Sequence, residues 1–146
     1  MGLAAPRTVF DQDFRDISSV KQQELGSYAE TSDGRGYRYS LAGAVALDRG
    51  KVCTNPAVDS NVVDVTVAEA ASVGAKEVVI DAGGSVTADA YADGSLTISD
   101  ATGEGGQYKV KGNTAVSGAG EVTVFLEDEL KDTALVADTS KAILGS

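Results

Sequence analysis

The stretch "SLTISDATGEGGQYKVKGN", residues 95–113, decides the fold class of this chain. Apolar and polar residues alternate in "SLTISD" and again in "QYKVKGN", which is typical of strands with one buried face. Between the two runs lies the glycine-rich stretch "TGEGG", residues 102–106. Because Lys109 and Lys111 alternate with apolar residues directly after the glycines, a strand rather than a helix follows them. The pattern predicts a β-hairpin.

Similar short runs continue from Gly36 to Leu144, separated by Gly, Asp or Asn. Such spacing is typical of an all-β barrel or sandwich. We therefore predict an all-β protein, a small barrel or sandwich of short antiparallel strands with an N-terminal arm or short helix. The other predicted strands are "GYRYSLAG" (36–43), "GKVCTN" (50–55), "SNVVDVTVAEA" (60–70), "AKEVVIDAG" (75–83), "SVTADAYADG" (85–94), "GEVTVFLED" (120–128) and "TSKAILGS" (139–146).

The alternation also predicts which side chains point inward. In residues 60–70 it places Val63, Val65 and Val67 on one face. Over the whole β region the side chains expected to point inward are Tyr37, Tyr39, Val65, Val79, Ile98, Val110 and Val124.

The N-terminal part differs from the rest, so we predict an arm and linker over residues 1–34 and a β domain over residues 35–146. Phe10, Phe14, Ile17 and Val20 follow one another at helix-like spacings. They are consistent with a short amphipathic helix capping the β domain or with an arm that folds against a partner. The predicted partner-binding residues are Arg7, Phe10, Phe14, Ile17 and Val20.

The net charge of −10 is unevenly distributed. Residues 1–55 hold seven basic and seven acidic residues, whereas residues 56–146 hold five basic and fifteen acidic ones. An acidic surface repels nucleic acid and anionic membranes, so neither is an expected partner. No signal segment or long apolar run is evident, which predicts synthesis in a cytoplasm.

Residue types that serve in catalysis, metal binding and disulfide formation are scarce. Histidine is absent and Cys53 is the single cysteine, so zinc sites, disulfides and histidine-dependent nucleophiles are excluded within the chain. We expect Cys53 to be a small buried residue of a strand. Neither "TGEGG" nor Gly50-Lys51 fits a phosphate-binding loop, and Asp11, Asp13 and Asp16 lack the rest of a calcium loop. No catalytic residue, metal or cofactor is predicted, and the adjacent acids at 127–129 are expected to form a solvated turn.

Two blocks of the sequence resemble a pattern in small head decoration, or capsid cement, proteins of tailed bacteriophages. In one block an aspartate precedes a T-G-x-G turn, a strand from tyrosine to Gly-Asn follows, and a later strand ends in alternating leucines and acids. In the other, an Asp-Gly-Arg turn precedes aromatic and basic residues and an Ala-Gly pair. The matching residues are Asp100, Gly103, Gly105, Tyr108, Val110, Gly112, Asn113, Leu126, Asp128 and Leu130, and Asp33, Gly34, Arg35, Tyr37, Arg38, Tyr39, Ala42, Gly43, Leu47, Gly50 and Lys51.

The resemblance implies a structural protein, not an enzyme, that coats and stabilises the outside of a phage capsid. It implies the major capsid protein as partner, a homotrimer, and a location on the capsid exterior after synthesis in the host cytoplasm. Two alternatives remain open, a tail-tube or baseplate component and a small trimeric β-enzyme of dUTPase-like type. The latter is suggested by "VVIDAGG", residues 78–84.

Overall fold

The computed structural model describes residues 7–8, 16–43, 45–46, 48, 50–52, 54, 57–131 and 133–145. The chain divides into two compact units, Met1–Thr54 and Asn55–Ser146. The described residues form strands, turns and one short 3-10 turn at Ser60–Val62, with no α-helix among them. The predicted all-β class is confirmed.

The first unit contains a small three-stranded sheet. Its strands are β1 (Arg7–Thr8), β2 (Tyr28–Glu30) and β3 (Gly36–Arg38), in the order β1-β2-β3. Strand β1 runs parallel to β2, and β2 forms an antiparallel hairpin with β3. This unit extends past the predicted arm and linker.

The second unit is a nearly closed barrel of six antiparallel strands. These strands are β4 (Val65–Thr66), β5 (Glu77–Ala82), β6 (Ser95–Asp100), β7 (Gln107–Asn113), β8 (Gly120–Leu126) and β9 (Lys141–Gly145). Their order is β4-β9-β6-β7-β8-β5. The two ends of this sheet meet at a bridge between Val67 and Ile80, where the Ala68 N–H donates to the Val79 carbonyl at 2.8 Å. Closure pairs the strand edges that would otherwise be open to another chain.

Side chains from alternate positions of the strands fill the barrel interior. Along β8, Val122, Val124 and Leu126 are buried, while the residues between them are not. The inward positions predicted for Ile98, Val110 and Val124 are confirmed. The rest of the buried apolar core of the described residues is Val62, Val67, Ala71, Val78, Ile80, Ala82, Val86, Tyr91, Leu96, Leu130, Leu135, Ala142 and Leu144.

The predicted register of β5 is wrong. The inward residues are Val78 and Ile80, whereas Val79 is half-buried on the other face. Three apolar residues stand in succession there, so alternation alone does not select the face.

The face predicted for Val63, Val65 and Val67 is partly correct. Val67 is fully buried and Val65 is half-buried against the core. Before them the alternation is interrupted at Asp64, which has φ +55°, and Val62 rather than Val63 is fully buried.

Other predicted strands also differ from the structure. Tyr37 and Tyr39 are half-buried in the first unit and are not part of the barrel core. In "GKVCTN", Gly50–Val52 and Thr54 form no strand, and Cys53 lies outside the described residues. In "SVTADAYADG" only Val86 makes a β-bridge, and the segment then turns before β6.

The hairpin predicted from residues 95–113 is confirmed. Strands β6 and β7 pair antiparallel, and the Gly105 N–H donates to the Ile98 carbonyl at 3.0 Å. Gly103 and Gly105 have φ of +92° and +86°, which glycine adopts at little cost. The "TGEGG" stretch therefore turns the chain.

Alanine substitutions at Gly103 and Gly105 are expected to lower the stability of the fold by different amounts. An added Cβ at Gly103 would lie 2.6 Å from Leu135 Cδ2, whereas one at Gly105 would have nothing within 4 Å. We expect Gly105→Ala to lower the free energy of unfolding by about 1 kcal/mol through backbone strain alone. Gly103→Ala is expected to cost about 2–3 kcal/mol because it adds a clash with the core. Urea denaturation of both variants measures the difference, and equal losses would contradict the assigned packing.

Candidate partner-binding surface

The predicted partner-binding residues do not form a helical stripe in the described part. Arg7 lies in β1 but its side chain is outside the described residues, as are Phe10 and Phe14. Ile17 and Val20 are 94% and 66% exposed, and no helix includes them. Ser18 Oγ donates to the Val20 carbonyl at 2.9 Å, a local bond that competes with helical hydrogen bonding. From Asp16 onward the predicted helix is therefore absent.

The segment that carries Ile17 and Val20 is linked by hydrogen bonds to the hydroxyl of Tyr39, which follows the β2–β3 hairpin. The Gln22 N–H donates to the Tyr39 hydroxyl at 3.0 Å, and Ser18 Oγ lies 3.5 Å from the same oxygen. The hydrogen bonds with Ser18 and then Gln22 lower the pKa of Tyr39. The two apolar side chains are thus held at the surface by polar contacts of their neighbours.

A second exposed apolar segment, residues 41–54, follows the hairpin in the first unit. Within it the Lys51 N–H donates to the Asp48 carbonyl at 3.4 Å, and Lys51 Nζ lies 2.6 Å from the Asp48 carboxylate. A turn is therefore present, but the described residues beside it form no strands. The described large apolar side chains of the segment are 74–97% exposed, namely Leu41, Val45 and Val52.

The sequence pattern does not predict this exposed segment, because it assigns residues 36–43 and 50–55 to strands of the β core and residues 44–49 only to the connection between them. An available signal was the spread of apolar residues over both faces, since Ala44, Val45, Ala46 and Leu47 are consecutive. A strand with one buried and one solvated face has apolar residues at alternate positions, whereas such a run places apolar residues on both faces.

The barrel surface has the opposite character. Among the described residues of the second unit, the exposed large apolar side chains are Val58, Val73 and Val136, whereas the first unit has Ile17, Val20, Tyr28, Leu41, Val45 and Val52. Residues 55–146 carry five basic and fifteen acidic side chains, whereas residues 1–54 are charge-balanced. The acids at 127–129 are exposed after β8, as expected of a solvated turn. Exposed apolar area and charge neutrality therefore coincide in the first unit.

A cation–π pair of one tyrosine and one arginine lies on the β2–β3 hairpin of the first unit. Tyr28 and Arg38 are opposite each other, with Arg38 Cζ 5.6 Å from the centre of the Tyr28 ring. Arg38 Nη1 donates to the Gly26 carbonyl at 2.7 Å. The Tyr28 ring covers Gly36, where an added Cβ would lie 2.7 Å from the Tyr28 hydroxyl.

Several residues shared with the decoration-protein pattern have structural roles. At the hairpin turn, Asp33 accepts hydrogen bonds from Thr31 Oγ1 and from Arg35 Nε. The bond from Thr31 is the main cause that holds the pKa of Asp33 below its usual value. In the barrel, Asn113 is buried and Tyr108 donates to the Lys131 carbonyl at 3.4 Å.

The described residues contain no group of three or more cysteine or acidic side chains able to hold a metal ion. Within the same part of the chain, no helix has the length and apolar character needed to cross a membrane. Asp81, the acid of "VVIDAGG", is exposed on β5 and faces away from the barrel core.

Comparison with protein-family models, with curated proteins and with solved structures finds no match to this chain. The functional interpretation therefore depends on this surface and on the sequence resemblance.

Proposed function

We propose that this chain is a structural virion protein that binds the outside of a tailed-bacteriophage capsid and stabilises it. The observation that carries the proposal is the concentration of exposed apolar side chains in the charge-balanced first unit. The two sequence blocks that resemble decoration proteins are the reason for proposing a phage capsid as the partner.

The first unit is the part of the chain that can approach another protein at the lowest cost in free energy. Burial of an exposed valine or leucine side chain contributes about 1.5–3 kcal/mol, and a neutral unit brings no like-charge repulsion. The acidic barrel, by contrast, favours solvent contact and resists nonspecific association. We infer that the first unit provides the surface that docks on the shell.

The partner in this proposal is the major capsid protein, and the bound form is a homotrimer on the capsid exterior. A shell presents many equivalent sites, and linked copies raise the effective concentration for one another. Each copy therefore requires only modest affinity. Contacts that cross subunit boundaries stabilise the shell because local swelling has to break them.

Pelleting with purified shells tests the proposal. The full chain, mixed with expanded capsids of the phage that encodes it, is expected to co-sediment and to saturate at a fixed ratio to the capsid protein. Shells of an unrelated phage serve as the control for nonspecific pelleting. Absence of saturable binding to the expanded capsids would refute the proposed function.

A further inference from the structure

Arg38 differs from the other described basic residues of the first unit. Lys21, Arg35 and Lys51 each form an ion pair, with Glu24, Asp33 and Asp48 respectively. No carboxylate of a described residue lies within ion-pair distance of Arg38, and the side chains of Arg7, Arg15 and Arg49 lie outside the described residues. The Arg38 side chain is exposed, so its positive charge is accessible to an acidic group of a partner.

The Arg38 guanidinium is nevertheless held in one place. It stacks on Tyr28 at 5.6 Å from the ring centre, and Nη1 is fixed by the Gly26 carbonyl. Tyr28 is in turn positioned above Gly36 and donates its hydroxyl proton to Glu30 at 3.2 Å. A guanidinium that is ordered before binding loses less side-chain entropy when a ligand arrives.

We propose that Arg38, oriented by Tyr28, is the specificity anchor of the first unit and binds a carboxylate of the capsid protein. This inference rests on the proposed function and names the partner chemistry at the docking surface. A planar guanidinium matches a carboxylate through two parallel hydrogen bonds, which an ammonium does not reproduce. Tyrosine and arginine are also the residues in which binding energy concentrates at protein interfaces.

Position and charge favour a carboxylate on the shell over other anions. Tyr28 and Arg38 belong to the same charge-balanced unit as the exposed apolar side chains, which is the unit that the proposed function places against the shell. Nucleic acid is opposed by the net charge of −10 on the chain. A carboxylate on the acidic barrel of a second copy is the competing source, which the experiment distinguishes.

The experiment compares three variants of the full chain in the pelleting assay with expanded capsids. Arg38→Lys keeps the positive charge but removes the planar fork and the stack on Tyr28. Gly36→Ala leaves Arg38 intact and displaces the Tyr28 ring. Arg35→Lys is the matched control on the same hairpin, since Arg35 already pairs with Asp33.

We expect Arg38→Lys to bind the shell about tenfold more weakly, Gly36→Ala to show a smaller loss, and Arg35→Lys to stay within about twofold of the wild type. Backbone amide spectra of β2 and β3 verify that the hairpin is intact in each variant. Equal binding by Arg38→Lys and the wild type would overturn this inference and leave the proposed function intact. Loss of self-association in Arg38→Lys with unchanged shell binding would assign the carboxylate to a second copy and also overturn it. If the wild type does not bind, the proposed function fails and this inference with it.

Discussion

Replacement of Asn113 by alanine is expected to lower the free energy of unfolding by about 3 kcal/mol or more. The Asn113 side chain is buried, and its Nδ2 donates to the carbonyls of Thr87 at 2.8 Å and Thr114 at 2.9 Å. Its Oδ1 accepts from the Tyr91 N–H at 3.1 Å. Alanine leaves the buried Tyr91 N–H and the two partly buried carbonyls without their side-chain partner.

The stability measurement for Asn113 has a matched control on the same strand. Gln107 is an exposed amide at the start of β7, with a long 3.5 Å contact to Thr97 Oγ1. Gln107→Ala is expected to change the free energy of unfolding by less than about 0.5 kcal/mol. Urea denaturation followed by circular dichroism measures both variants. Equal effects would show that the polar network around Asn113 does not stabilise the barrel.

Deletion of residues 1–25 is expected to abolish shell binding and to leave the melting temperature of the barrel within about 2 °C of the full chain. The deletion removes Ile17, Val20 and the Gln22 bond to Tyr39. The buried apolar core of the described residues begins at Val62, so no core side chain is lost. Calorimetry and pelleting of the same preparation give the two readouts.

The two readouts of the deletion separate different roles of the arm. Unfolding of the barrel would mean that residues 1–25 cap it, as the alternative interpretation of the sequence holds. A folded deletion variant that still coats capsids would show that the arm is not needed for docking.

Local signals account for the parts of the fold that the sequence predicted well. The hairpin from Ser95 to Asn113 has its turn between two runs of clear alternation, so neighbouring residues determine both strands and their pairing. In β8, Val122 and Val124 alternate with Glu121 and Thr123, which selects the inward face although Phe125 and Leu126 are both apolar. By contrast, closure between Val67 and Ile80 depends on residues distant in sequence, and no local pattern encodes it.

The errors arise where local patterns are ambiguous. Three successive apolar residues in β5 fit either face, and Asp64 in a left-handed conformation interrupts the alternation, so that Val62 rather than Val63 is fully buried. The exposed segment 41–54 has the composition of strands but no paired neighbour among the described residues. Because exposure is a tertiary property, the candidate docking surface outside the arm could not be predicted from alternation alone.

The central claim is that the apolar surface of the first unit docks on the shell, and the most direct test removes that surface without shortening the chain. A threefold serine variant at Leu41, Val45 and Val52 takes away the described exposed large apolar side chains of the segment. The matched control replaces Val58, Val73 and Val136, the exposed large apolar side chains described in the second unit, by serine. In pelleting assays with expanded capsids, we expect the threefold variant to lose at least about tenfold in affinity while the control binds as the wild type does. Undiminished binding by the threefold variant, or an equal loss in the control, would contradict this claim.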